Sequence, residues 1–206
     1  MEEAKTLRLM ADAFKELAGA INQFPAGEEA RLELGPFSRA CSLVSPLFRC
    51  LGIAFKFAEL DYVAKVHDLE EASKSIPVLP VMVDGDIDAN RVRTAGSHTR
   101  NLLRVKRGID MVRVLFEHII SSEGNSLKDP ASKAYAQVFA PYHGWAIRKA
   151  VAAGMYALPT KAQLLNKLNE DETSARVQMQ NYVTFATPVV KYIDELFISR
   201  KLGIDW

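Results

Sequence analysis

The chain has 206 residues, 49% of them hydrophobic and 25% charged, with a formal net charge of +1. That balance fits one globular domain over residues 1–206 and argues against a disordered or broadly polyanion-binding chain, so nucleic acid is not an expected partner. The two cysteines, Cys41 and Cys50, have no Cys/His ligand spacing around them, and no run of about 18 uncharged apolar residues predicts a spanning helix.

The start, Met1-Glu2-Glu3-Ala4-Lys5, is acidic and lacks the basic-then-apolar order of a secretory signal, which predicts a cytoplasmic protein. Leu7, Met10, Ala11, Phe14, Leu17, Ala18 and Ile21 then recur at three- and four-residue steps, a one-faced helix ended by Pro25 and Gly27. A longer helical pattern runs from Phe37 to Ala72 and is bent or interrupted at Pro46. Between Ile76 and Val83 two prolines argue against a central strand, and a short helix or turn-rich connector is expected. From Ser97 to Ser121 the helical period returns, with Leu102, Val105, Ile109, Val112, Phe116 and Ile119 on one apolar arc.

Asp129 followed by Pro130 reads as a cap and first turn, opening a helix that Pro141 and Gly144 perturb. Thr160 caps a shorter helix through Leu164, Leu165 and Leu168. Another helix follows Asn169-Glu170-Asp171-Glu172, Thr187-Pro188 predicts a fresh start, and Gly203 predicts the final stop. The expected fold class is all-α.

Charge is unevenly spread. Arg91 to Arg113 holds seven Lys or Arg against one acid, Asp110, which points to a specific anionic ligand. Arg100 and Arg104 lie one turn apart on a stripe with Gly108 and Met111, beside the apolar arc. A planar guanidinium suits phosphate or carboxylate oxygens, although solvated helix-face charge is the commoner meaning of such a segment alone. Lys106, across the helix, reads as a solvated or membrane-facing charge. Asp61 and Lys65 form an i, i+4 acid-base pair where an apolar face becomes polar. His143 sits between Pro141 and Gly144, and no histidine spacing suggests a metal. No nucleophile, phosphate-loop or dinucleotide motif is present, so no catalytic residue and no cofactor are expected.

Asp61 with Lys65, then Asn101-Leu102-Leu103-Arg104-Val105-Lys106-Arg107-Gly108, then Tyr142-His143-Gly144-Trp145 resemble, in that order, the glycolipid transfer protein superfamily. Ala40-Cys41-Ser42-Leu43-Val44-Ser45-Pro46-Leu47-Phe48 and Leu202-Gly203-Ile204-Asp205-Trp206 bring the chain nearest to its plant accelerated-cell-death branch, which handles ceramide-1-phosphate.

The resemblance implies a two-layer helical sandwich enclosing a lipid chamber, with a headgroup site at its mouth. It implies that Asp61 binds the ceramide amide N–H and sphingoid hydroxyl and His143 the carbonyl, while Lys65, Arg100 and Arg104 hold the phosphate. The glycolipid-binding branch has a tryptophan where this chain has Arg104 and an asparagine where it has Lys65, so cations replace the sugar platform. Arg107 is a candidate third arginine contact, and Trp145 corresponds to the family's membrane-contacting tryptophan.

Removing a two-chain lipid from a bilayer exposes about 30 methylenes at ~0.8 kcal/mol each, a cost on the order of 20 kcal/mol that only an apolar chamber offsets. Phe57, Val112, Phe116, Val138, Phe139 and Ile147 are the candidate lining. The expected function is non-enzymatic transfer of ceramide-1-phosphate or a related phosphosphingolipid, with transient contact at membrane surfaces. The alternative is a lipid sensor or adaptor that uses the same pocket to regulate a protein partner. An enzyme using His143 as acid or base is the weakest reading.

Overall fold

The computed structural model describes residues 5–25 and 27–206. The reading of the acidic start concerns residues 1–4, which lie outside the described residues. The architecture is all-α, a two-layer helical sandwich, with no strand among the described residues.

The first helix, α1 (Thr6–Asn22), buries Leu7, Met10, Ala11, Phe14, Leu17 and Ala18, the stripe its spacing predicts. The long pattern that follows is cut three ways, into α2 (Leu34–Ser42), α3 (Ser45–Cys50) and α4 (Lys56–Ala72). Pro46 falls in the first turn of α3, where its missing N–H costs nothing. The second break is at Gly52, whose φ of +97° favours glycine.

Leu79–Asp88 forms α5, longer than the connector expected there, with Pro80 tolerated in its first turn. Its start is tied to that of α2 by Leu34 N–H to Pro77 O and Leu79 N–H to Leu32 O, each 2.9 Å.

The central α6 (His98–Ser121) has the whole predicted arc buried. Two of its free N-terminal amides are satisfied: Arg100 N–H donates to Ser97 Oγ at 3.1 Å, and Thr99 N–H to the buried Asp86 carboxylate at 2.8 Å. The next helix, α7 (Lys128–Val138), begins one residue before Asp129, which makes no capping bond. Pro141 and Gly144 end it and open α8 (Trp145–Gly154). Thr160 caps α9 (Lys161–Lys167) in a reciprocal box with Gln163.

Thr187-Pro188 does not start a helix. One helix, α10 (Glu172–Ser199), runs through Pro188. Tyr182, Ala186, Val189 and Ile193 stay buried on either side of the proline, so packing outweighs the one missing hydrogen bond. Thr187 spends its hydroxyl on Val183 O at 2.7 Å instead of capping. The stop also moves. Lys201 (φ 56°) takes the left-handed position, with Lys201 N–H on Ile198 O and Leu202 N–H on Phe197 O, while Gly203 turns the chain two residues later.

Tyr182 marks the centre. Its ring meets the edges of Phe14 and Phe116 at 4.9 and 5.5 Å, and its hydroxyl donates to Ile109 O, joining α1, α6 and α10.

Candidate functional site

A cavity of about 280 Å³ opens between α4, α6, α7 and the turn at Ala140–Tyr142. Asp61, Tyr62 and Lys65 line it from α4, and Arg104, Arg107, Gly108 and Met111 from α6. Tyr135, Phe139, Tyr142, His143 and Trp206 also line it, with further apolar side chains such as Phe48, Phe55 and Val151. Gly108 sets the spacing of the two main helices: a Cβ there would stand 2.6 Å from the Tyr62 ring. That ring is wedged in turn by its hydroxyl, which donates to Cys41 O at 2.9 Å. One to two turns further along, the Asp68 carboxylate bridges to His98 Nδ1 (2.8 Å) and Asn101 Nδ2 (2.9 Å). Lys65 and Arg104 sit between these two pins.

Two of the cations, Arg100 and Arg104, are left unsatisfied by the protein itself. Among the described residues, the Arg100 and Arg104 side chains have no hydrogen-bond or ion-pair acceptor. Burial lowers the Arg104 pKa, the Arg100 charge lowers it further, and Asp61 opposes both. The guanidinium stays charged and is electrostatically short of an anion. Lys65 pairs with the exposed Asp61 carboxylate.

Arg107 is placed differently. It is 4% exposed, donates through Nη2 to Ile204 O (2.9 Å) and Trp206 O (2.7 Å), and lies 3.5 Å from the Tyr142 ring centroid. It borders the cavity while anchoring the Leu202–Trp206 segment, and its buried Nε lacks a partner.

Burial, then the Arg107 and Arg104 charges, push the His143 pKa down, so the ring is neutral. Nδ1 lies 2.8 Å from the Tyr135 hydroxyl, and the ring stacks on Phe139 at 5.6 Å and 17°.

Several expected positions differ. Phe57 is 85% exposed, because it precedes the buried Glu59 by two residues and points to the other side of α4. Ile147 is 50% exposed, on a helix that buries none of its residues. Val112, Phe116 and Val138 are packed in the closed core and do not border the cavity, whereas Phe139 does. Lys106 is 6% exposed and pairs with Asp194 at 2.6 Å, because α10 covers that side of α6.

Arg100 stands one turn from Arg104 and outside the lining. Trp145 is 70% exposed. Tyr62, Tyr135 and Trp206 line the cavity without having been singled out. Gly108 on the Arg104 stripe hinted at Tyr62, but nothing local places Tyr135 or Trp206. Among the described residues no cluster of three or more His, Cys, Asp or Glu could hold a metal ion, and no helix is long and apolar enough to cross a membrane.

An apolar cavity with underpaired cations at its mouth is a site for an amphiphile, apolar body inward and anionic head at the rim. The chain belongs to the glycolipid transfer protein (GLTP) family, whose model matches residues 32–170. It is 65% identical to accelerated cell death 11 of Arabidopsis thaliana over all 206 residues, covering 98% of that protein. A mutant of that Arabidopsis protein complexed with C12 ceramide-1-phosphate superposes with a TM-score of 0.96 at 64% identity, each chain covered completely. Human ceramide-1-phosphate transfer protein with 12:0 ceramide-1-phosphate matches with a TM-score of 0.81 over 97% of this chain and 98% of that one. At 21% identity this second match speaks for the fold.

Proposed function

We propose that this chain, acting as a single domain, carries ceramide-1-phosphate or a closely related phosphosphingolipid between membranes without covalent chemistry. The observation that carries the reading is the pair Arg100 and Arg104, without protein acceptors, above an apolar cavity that Asp61 and His143 flank. Lys65, Arg100 and Arg104 supply three positive charges to a phosphomonoester of charge about −1.5 to −2. Asp61 accepts the amide N–H and His143 meets the carbonyl. Arg107 stays with the Leu202–Trp206 segment and adds field more than contact.

The high identity to a protein crystallised with C12 ceramide-1-phosphate supports the choice of lipid. The cavity of about 280 Å³ is at the floor of the ~300–1,000 Å³ range of ordinary ligand pockets, so two hydrocarbon chains require the helical layers to part. Exposed Ile53, Phe57, Trp145 and Tyr156, on elements beside the mouth, support transient docking of a cytoplasmic carrier on a membrane surface.

The test is transfer between vesicles with labelled lipids at substoichiometric protein. Ceramide-1-phosphate should move catalytically and galactosylceramide should not. Equal transfer of both would sink the headgroup assignment, and binding without transfer would favour a sensor.

A further inference from the structure

We propose that Tyr135 is a positioning residue for His143: its hydroxyl donates to Nδ1, keeps the imidazole proton on Nε2, and so makes the nitrogen left open to the cavity a donor to a ligand carbonyl. The inference rests on the reading of His143 as the carbonyl contact and adds what prepares it for that task.

A neutral imidazole has one donor and one acceptor nitrogen, and the partner of one nitrogen decides the role of the other. Here Nδ1 is 2.8 Å from the Tyr135 hydroxyl. Among the described residues that hydroxyl has no other hydrogen-bond partner. Of the pair, the phenol is the stronger acid and the imidazole nitrogen the stronger base, so the O–H donating to bare Nδ1 is favoured over the reverse. Phe139, stacked on the ring, holds its plane, so the hydroxyl also fixes where Nε2 points.

The titration behaviour agrees. Burial pushes the Tyr135 hydroxyl up and the His143 imidazole down, so the phenol keeps its proton and the imidazole takes no second one.

The consequence is complementarity. The Asp61 carboxylate, paired with Lys65, only accepts, and His143 in this tautomer only donates from its open nitrogen. An acceptor from α4 and a donor from the segment before α8, both lining one cavity, read an amide through its N–H and its C=O. They thereby favour an N-acylated sphingoid phosphate over its deacylated form.

Long-range proton–nitrogen correlation spectra of the imidazole-labelled full chain test this directly. Expected in the parent protein is a His143 ring with Nε2 protonated and Nδ1 bare. Tyr135→Phe should shift both nitrogens toward tautomer averaging and slow ceramide-1-phosphate transfer by about three- to tenfold, the scale of one hydrogen bond. In a His143→Ala background, Tyr135→Phe should change transfer no further. A proton on Nδ1 in the parent, or nitrogen shifts indifferent to Tyr135→Phe, would overturn the inference. Undiminished transfer by His143→Ala alone would instead overturn the carbonyl-contact reading, and the nitrogen spectra would still decide what Tyr135 does to the ring.

Discussion

Arg100 and Arg104 repel each other one turn apart, and Arg104 is partly desolvated as well. Such an arrangement is costly for the empty protein and favourable only once an anion arrives. On the proposed reading, Arg104→Ala removes a charge-assisted contact of about 1.5–3 kcal/mol, so ceramide-1-phosphate transfer should fall roughly ten- to hundredfold. Thermal unfolding of the same variant should be unchanged or slightly later, because Arg100 loses its repulsive neighbour. Marked destabilisation would mean that Arg104 serves the fold. His143 makes a prediction of its own. Its pKa is lowered in the folded chain, so the unfolded state binds the extra proton first. The stability it contributes is complete above the ordinary imidazole value near 6.5 and is lost as pH falls through the lower folded value. Melting temperatures of the parent and His143→Asn, measured from pH 7.5 to 5, should therefore converge in acid. Curves that stay parallel would count against the shift.

At the scale of elements, the site depends on how closely α4 approaches α6. Tyr62 lying on Gly108 and Asp68 bridging His98 and Asn101 are the two pins that hold Asp61 and Lys65 opposite Arg104. Gly108→Ala puts a methyl 2.6 Å from a ring whose hydroxyl is already committed to Cys41 O. Overpacking of this kind costs about 1–3 kcal/mol. The variant should melt several degrees lower and transfer lipid poorly, since the two helices can separate only by widening the headgroup site. Normal melting in denaturation scans would show that Tyr62 has another place to go. The segmentation around this contact was partly legible. Pro46, Pro141 and Gly144 announced their breaks, and Thr160 its cap. Pro188 misled, because proline disfavours a helix locally by an amount that burial of Tyr182, Ala186, Val189 and Ile193 against the rest of the core exceeds.

Across the whole molecule, scaffold and site are held by different charges. Arg200, just past α10, binds both oxygens of Glu29 in the segment after α1 and of Asp84 in α5. Those hydrogen bonds raise its pKa, Asp84 contributing most and then Glu29, and the side chain is only 14% exposed. Arg200→Ala leaves two carboxylates side by side without their cation. It should cost about 1–3 kcal/mol of stability in chemical denaturation while transfer by the folded fraction stays normal. Loss of transfer at unchanged stability would connect this clasp to the site. The pair of buried Lys106 with half-buried Asp194 likewise belongs to the scaffold, tying α6 to α10.

The sequence by itself determined the all-α class, the faces of α1 and α6, and the chemical types at the site. The class and the faces follow from local periodicity and capping, and the chemical types from a local excess of cations read together with the family resemblance. Asp61, Lys65, Arg104 and His143 became legible as one site only through the family resemblance, and the structure brings them to one cavity. The tertiary structure alone decided which apolar residues face that cavity. Phe57 and Phe116 are equally hydrophobic, yet one is exposed and the other lies in the closed core, because the direction each helix face points depends on what packs beside it. It likewise decided that Arg107 holds the Leu202–Trp206 segment, that Lys106 is buried, and that Tyr135 meets His143. Each of those depends on chain that arrives from a distance or around a break, and no local spacing records what it will meet there.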